Sequence, residues 1–304
     1  MRVRIGVSLG PGGTPEAFAA AVDLLEAAGA DSLWLPESVY GPLVEPFTGM
    51  AFALSRTRRL KVGSGICVLP GRHPVLVAKQ LASLTGLAPG RVLPVFGLQS
   101  ARSAERVLFP VPEGQRAAVF DESLTVLRLL LTSETVSFKG RFFTVSGAFV
   151  RPLPAKPLDI WLGGSAPGGL RRVGRLADGW LGSLLTPGEA GAAVRVIQEA
   201  AAGAGRVVEP DHFGISLAVA FPAAGGGPAG PGGIPAEMMA SIRERRPGTD
   251  PAALVADGWA GARRMIEEYT RVGLSKFVVR PAAPLPSFGS FVEGFARELM
   301  PLQT

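Results

Sequence analysis

Several residue types that support particular chemistries are scarce in this 304-residue sequence. Its one cysteine, Cys67, excludes an internal disulfide and suits a reducing compartment. The two histidines, His73 and His212, lie far apart in the sequence and argue against a dedicated zinc site. No run reaches the roughly 18 consecutive apolar residues of a membrane span, and the N-terminus lacks the apolar region of a signal peptide. The composition therefore predicts a cytoplasmic protein with no metal and no membrane segment.

The charge balance is basic, with 31 lysine and arginine residues against 25 acidic ones. The basic residues are scattered along the chain and are not interleaved with aromatic residues, which argues against nucleic-acid binding. A basic protein also suits an anionic cofactor.

Predicted strands and helices alternate along the chain, and each strand is followed by a helix. The eight predicted strands span 3–9, 32–35, 60–69, 91–96, 158–162, 180–184, 213–220 and 276–279. Eight βα units in a chain of this length predict the α/β class and a (β/α)₈ TIM barrel, folded as a single domain over residues 1–304. An open doubly wound sheet is the alternative, but no Gly-x-Gly-x-x-Gly fingerprint follows the first strand.

Two segments interrupt this alternation. A β-hairpin is predicted at 135–138 and 142–145, within an insertion over about 132–156 after the fourth helix. A Gly/Pro-rich segment follows the seventh strand at 221–250, within an insertion over about 221–257.

The active site of a TIM barrel forms where the strands end. The predicted strand ends carry many glycines and hydroxyl groups and few acids or bases, which suits holding a large cofactor better than hydrolysing a bond. Arg280 ends the eighth strand and is a candidate for holding either an anionic substrate or a cofactor tail.

The turn Gly163-Gly164-Ser165 lies between a predicted buried strand and a helix predicted at Pro167–Leu176. Glycine lets the backbone approach an anion closely, and the free N–H groups of a helix start bind phosphate. The turn is therefore a predicted phosphate site, with a purely structural turn as the alternative.

Several motifs together resemble the bacterial luciferase-like superfamily, and more narrowly its branch of probable F420-dependent oxidoreductases. They are Ser32-Leu-Trp-Leu-Pro-Glu-Ser38, Val62-Gly-Ser-Gly-Ile66, Arg72-His-Pro-Val-Leu-Val-Ala-Lys-Gln80, Pro89-Gly-Arg91, the Gly-Gly-Ser turn and Ala177-Asp-Gly-Trp180. The resemblance implies an enzyme in which F420 or a flavin lies across the strand ends, the second insertion acts as a lid, and two copies form a homodimer.

The resemblance also implies roles for individual residues. Gly163, Gly164 and Ser165 match the turn that holds the cofactor phosphate. Ser64-Gly65-Ile66 matches a bulge that often contains a non-proline cis peptide against the cofactor ring. Glu37 and Gln99 are the predicted catalytic residues. The predicted cofactor-binding residues are Ser64, Gly65, Ile66, Cys67, Gly97, Gly163, Gly164, Ser165, Gly182 and Ser183.

Two positions depart from the family pattern. Several deazaflavin dehydrogenases have a histidine after the acid that ends strand two, whereas Ser38 follows Glu37 here. A carboxylate often stands near the position of Gln99, and glutamine cannot deliver a proton. The sequence thus predicts hydride transfer between F420 and a small organic substrate without identifying the proton donor. An FMN-dependent monooxygenase and a non-catalytic flavin-binding barrel are the alternatives.

Overall fold

Strands and helices alternate in the structure, a computed structural model that describes residues 2–10, 13–221 and 233–304. The strands are β1 (Arg4–Ser8), β2 (Ser32–Leu35), β3 (Lys61–Ser64), β4 (Cys67–Val68), β5 (Val92–Leu93), β6 (Val95–Gly97), β7 (Val136–Lys139), β8 (Thr144–Ala148), β9 (Trp161–Gly163), β10 (Gly179–Ser183), β11 (Phe213–Ala220), β12 (Val255–Asp257) and β13 (Lys276–Pro281). The helices are α1 (Pro15–Ala28), α2 (Pro46–Arg56), α3 (Pro74–Leu87), α4 (Arg116–Thr132), α5 (Pro167–Leu176), α6 (Pro187–Gly203), α7 (Ala236–Arg245), α8 (Gly258–Arg271) and α9 (Phe288–Glu298).

The parallel strands form a closed ring. Strands β3 and β4 are two halves of one barrel strand, and β5 and β6 are two halves of the next, because β3 pairs with β5 and β4 pairs with β6. From β6 the pairing continues through β9, β10, β11, β13, β1 and β2 back to β3. This order confirms the predicted TIM barrel.

Proline marks the start of many of the barrel helices. Pro15, Pro46, Pro74, Pro167 and Pro187 each occupy the first turn of a helix. The fixed φ of proline suits that position, and the backbone N–H that proline lacks would have no partner inside the helix. The sequence therefore sets where these helices begin, and each begins at the end of the barrel where the preceding strand ends.

The first insertion is the predicted hairpin. Strands β7 and β8 pair antiparallel after α4, one to three residues later in the sequence than predicted. The second insertion lies partly outside the described residues, because the structure does not describe 222–232. The part that follows contains α7 and β12, and β12 pairs parallel with β11. The sequence analysis did not predict β12.

A buried charge cluster joins several strands at the end of the barrel opposite the strand ends. Asp31, which precedes β2, pairs with Lys276 of β13, with Lys61 of β3 at 3.2 Å and with Arg4 of β1 at 3.7 Å. Burial raises the pKa of Asp31, but the charge and hydrogen bond of Lys276 outweigh this effect and hold the pKa below its ordinary value. The cluster therefore stabilises the barrel away from the strand ends.

Candidate functional site

A cavity of about 630 Å³ opens at the end of the barrel where the strands end. Its volume lies in the range of small-molecule sites. Its wall is built from several barrel strands and the loops that follow them. The polar residues in the wall include Ser8, Ser38, Arg102, Glu105, Ser216 and Arg280, and the apolar ones include Trp34, Leu181 and Val278.

The third barrel strand contributes one residue to this wall, Gly65. The Gly65–Ile66 peptide bond is cis, as the resemblance implies. The Ser64 hydroxyl donates to the carbonyl of Val95 at 2.9 Å and accepts from the amide of Val95 at 2.8 Å, so it is used within the barrel. Cys67 is fully buried, and burial raises the pKa of its thiol well above the ordinary value. We therefore expect the Cys67 thiol to be unreactive in the folded protein.

The side chain of Ile66 gives a structural reason for glycine at Gly97 and Gly163, two of the predicted cofactor-binding residues. A Cβ on Gly97 would lie 2.2 Å from Ile66 Cδ1, and a Cβ on Gly163 would lie 3.0 Å from the same atom. Both glycines therefore make room for Ile66 inside the barrel mouth. Their contact with a cofactor stays a prediction.

The Gly164 turn lies open at the end of β9. Gly164 has a φ of +111°, and a Cβ there would meet no atom within 4 Å. Both Gly164 and Ser165 are exposed, and the Trp180 indole donates to the carbonyl of Gly164 at 2.8 Å. Helix α5 then begins with Ala166 as its N-cap and no acidic residue in its first turn. Since alanine has no capping group, the N–H groups of this helix start are free to bind an anion.

Helix α6, which follows the next barrel strand, begins differently. The Thr186 hydroxyl accepts from the amide of Glu189 at 3.4 Å, and the Glu189 carboxylate accepts from the amide of Thr186 at 2.8 Å. This capping box satisfies the amides of Thr186 and Glu189 and places a carboxylate at the start of α6. Ser183 is exposed just before α6, whereas Gly182 is buried where a Cβ would lie 2.7 Å from the Trp180 ring. Of these two helix starts, α5 is the one suited to phosphate.

The two predicted catalytic residues lie outside the cavity wall. The Glu37 side chain is 4% exposed, forms an ion pair with Arg72 and accepts from the amide of Val68 at 2.8 Å. Burial raises the pKa of Glu37, although the hydrogen bond from Val68 and the charge of Arg72 oppose the shift. Gln99 is exposed. Their catalytic roles stay predictions.

A buried carboxylate that the sequence analysis missed lies in the cavity wall. Glu105 is 1% exposed and accepts hydrogen bonds from Ser100 Oγ at 2.8 Å, Ser38 Oγ at 3.5 Å and the amide of Tyr40 at 3.3 Å. It forms no ion pair with any described residue. Glu105 lies in a 3-10 turn, Ser103–Leu108, where no hydrophobic periodicity marks it. Its place shortly after the fourth barrel strand is the one sequence signal that could have identified it.

Within the part of the chain that the structure describes, no group of three or more histidine, cysteine or acidic side chains is placed to hold a metal ion. Within the same ranges, no helix is both long enough and apolar enough to cross a membrane.

The sequence profile of the luciferase-like monooxygenase family matches residues 1–224. The chain belongs to this family. The quoted motifs and the closed barrel agree with that assignment, and the match covers most of the barrel strands.

Curated relatives match about half of this luciferase-like chain. An uncharacterised protein of Mycobacterium tuberculosis is 32% identical over 181 residues, which are 51% of this chain and 61% of the relative. The F420-dependent glucose-6-phosphate dehydrogenase of Nakamurella multipartita is 32% identical over 152 residues, which are 49% of this chain and 44% of that enzyme. The chain therefore spans about half the length of the curated relatives it matches.

Solved structures share the whole fold. An F420-dependent secondary alcohol dehydrogenase, in complex with an F420-acetone adduct, has a TM-score of 0.81 at 19% identity and full coverage of both chains. The oxygenating constituent of 3,6-diketocamphane monooxygenase from Pseudomonas putida, in complex with FMN, has a TM-score of 0.73 at 15% identity, covering 100% of this chain and 99% of that one. At these identities the likeness concerns the fold, which occurs with either cofactor.

Proposed function

We propose that this luciferase-like protein is an oxidoreductase that uses coenzyme F420 for hydride transfer to or from a small organic substrate. The observation that carries the proposal is the open Gly164 turn at the free start of α5, which lies at the same end of the barrel as the cavity. The turn is not in the cavity wall, but Leu181, which pairs with Gly163, is. This arrangement suits a cofactor whose phosphate binds at the turn and whose ring lies over the strand ends. The match to a curated F420-dependent dehydrogenase favours F420 over other cofactors.

The residues of the site have different roles in this proposal. F420, when bound, supplies a two-electron hydride donor or acceptor. The N–H groups around Gly164 would hold its phosphate, and Gly65 leaves space for a ring because it has no side chain. Hydride transfer then depends mainly on placing the two reacting carbons close together.

Glu105 and Ser38 are our candidates for holding the proton that accompanies the hydride. Glu105 is a buried carboxylate without an ion-pair partner among the described residues, and Ser38 Oγ, 3.5 Å from that carboxylate, lines the same cavity. A hydroxyl can pass a proton because it both donates and accepts. In this proposal Glu37, paired with Arg72, positions the third barrel strand and transfers no proton.

An FMN-dependent monooxygenase is the second candidate. The exposed Gly164 turn would also hold the phosphate of FMN, and a fold neighbour binds FMN. Family membership and fold fit either cofactor. A barrel that binds a flavin without turnover is the third outcome to test.

The deciding experiment is a fluorescence titration of the purified protein with F420 and, separately, with FMN. We expect saturable binding of F420, and an affinity about ten-fold lower in Gly164→Ala, because alanine strains a positive φ and crowds the phosphate. Gly205→Ala is the matched control. Gly205 has a φ of +66° and open space around a Cβ, but it follows α6 at the opposite end of the barrel.

The outcomes separate the candidates. Tighter binding of FMN would assign the protein to the monooxygenases, with oxygen consumption as the next assay. Binding of F420 without turnover in a substrate screen would favour the non-catalytic barrel. Binding of neither cofactor, or equal losses in the two glycine variants, would overturn the proposed cofactor site.

A further inference from the structure

Arg280 is a cavity-lining cation without a counterion. It lies near the end of β13 and is half-buried in the cavity wall. None of its side-chain nitrogens forms a hydrogen bond or ion pair with a described residue. The residues outside the described ranges, at 1, 11–12 and 222–232, include no aspartate or glutamate. A buried cation is costly unless an opposite charge accompanies it.

A second arginine approaches Arg280 from α7. Ile242 of α7 is buried in one cluster with Ala218 and Ala282. Ala218 is the residue directly beside Arg280 in the pairing of β11 with β13. Residues three apart on a helix share a face, so Arg245, which is itself exposed to solvent, lies on the same side of α7 as Ile242 and near Arg280. Burial lowers the pKa of Arg280, and the positive charge of Arg245 lowers it further.

Arg246, the residue that follows α7, makes the contacts expected of an arginine with a purely structural role. Arg246 forms an ion pair with Glu189 and donates to the carbonyl of Leu184 at 2.7 Å, which fixes α7 against β10 and α6. Arg245 forms no such ion pair with a described residue. The two adjacent arginines at the end of α7 thus differ, because Arg246 anchors the helix through an ion pair and Arg245 does not.

We propose that an anionic group of the substrate, a carboxylate or a phosphate, binds at Arg280, with Arg245 adding positive charge beside it. The planar guanidinium groups of arginine suit such oxyanions because they donate two parallel hydrogen bonds. The inference rests on the proposed function, since it takes this cavity as the substrate site. It narrows the substrate class to small organic molecules that carry a negative charge.

The position of Arg280 favours the substrate over the cofactor as the source of the anion. The Gly164 turn follows β9, whereas Arg280 lies on β13, and β10 and β11 separate the two strands. Three strand spacings amount to roughly 14 Å along the barrel wall. A phosphate held at the turn would therefore leave the Arg280 end of the cavity for a second molecule.

The test is a calorimetric titration of the F420-loaded protein with inorganic phosphate. We expect Arg280→Met to weaken phosphate binding about ten-fold or more, and Arg245→Met to weaken it several-fold, because charge-assisted hydrogen bonds are lost. Arg243→Met is the matched control, since Arg243, like Arg245, is an exposed arginine of the same helix but lies on a different face from Ile242. The affinity for F420 should stay the same in all three variants, and thermal unfolding should show that each is folded.

Three results would overturn the inference. The first two are a phosphate affinity that Arg280→Met leaves unchanged and a lack of phosphate binding by the F420-loaded wild-type protein. The third is a loss of F420 affinity in Arg280→Met, which would assign Arg280 to the cofactor tail. If the protein binds no F420, the same titration is made on the Gly164→Ala protein without cofactor. There the turn is impaired and Arg280 is intact, so failure of the cofactor proposal is separated from failure of the anion site.

Discussion

The indole of Trp180 links the interior of the barrel to the phosphate-binding turn. Trp180 is fully buried, and its N–H donates to the carbonyl of Gly164 at 2.8 Å. The ring has a fixed place because Gly182, two residues later, leaves room for it. The hydrogen bond therefore orients the peptide after Gly164, which carries the N–H of Ser165 toward the proposed phosphate.

We predict that Trp180→Phe lowers the affinity for F420 about five- to ten-fold, because the turn loses a hydrogen bond worth about 1 kcal/mol. Trp161→Phe is the control: this indole also lies in the barrel, but its N–H bonds to no described residue. Fluorescence titration of both variants measures the effect. A loss of equal size in the two variants would contradict a positioning role for Trp180.

The contacts of individual side chains were the part of the site that could not be predicted from the sequence. The strand-end pattern located Gly97 and Gly163 correctly, but it could not show that Ile66 fills the space beside them. Glu105 was missed because its importance comes from burial and from Ser38 and Ser100, which only the fold brings together.

At the scale of elements, α5 and α6 have opposite electrostatic character at their starts. The uncapped α5 presents free N–H groups, whereas the capping box of α6 satisfies the amides of Thr186 and Glu189 and adds a carboxylate, which pairs with Arg246. A helix start carries the equivalent of about half a positive charge. An anion at the barrel mouth is therefore attracted to α5 more than to α6.

We predict opposite effects of Ser165→Asp on stability and on binding. A carboxylate before α5 would interact favourably with the helix start and stabilise the free protein by about 0.3–1 kcal/mol. The same carboxylate would repel the cofactor phosphate and lower F420 affinity. Gly188→Asp, in the first turn of α6, adds the same charge at the neighbouring helix and is the control. Thermal unfolding and F420 titration measure the two effects, and unchanged F420 affinity in Ser165→Asp would place the phosphate elsewhere.

The alternation of strands and helices was predictable because hydrophobic runs, glycines and first-turn prolines mark these elements in the sequence. The hydrophobic pattern alone predicted one unbroken strand over 60–69, since the pairing partners β5 and β6 lie about 30 residues away. The resemblance implied a bulge at Ser64-Gly65-Ile66, which is where the third barrel strand divides into β3 and β4. Strand β12 was missed because it has only three residues and follows a Gly/Pro-rich segment.

For the molecule as a whole, the charge cluster around Asp31 links strands of the barrel at the end opposite the cavity. The Asp31 and Lys276 side chains are 10% and 8% exposed, and their ion pair joins segments that are 245 residues apart in the sequence. Removing one partner of a buried pair leaves an uncompensated charge. The homodimer and the single-domain organisation stay predictions at this scale.

We predict that Asp31→Asn lowers the free energy of unfolding by about 3–5 kcal/mol, measured by urea denaturation at neutral pH. Asp23→Asn removes the exposed ion pair with Arg56 and should cost about 0–1 kcal/mol. Because folding lowers the pKa of Asp31, its contribution is fully present above about pH 4 and is lost as the pH falls further. In Asp31→Asn this part of the acid dependence should disappear. Similar losses in the two variants would contradict a special role for the cluster.

The packing of Ile66 against Gly97 and Gly163 has a consequence for how this site can evolve. A methyl group at Gly97 would lie 2.2 Å from Ile66 Cδ1, so that change requires the isoleucine to move or to become smaller. The three positions, which lie on three different barrel strands, are therefore coupled. A change at one of them alters which residues the other two can accept, whichever molecule the cavity binds.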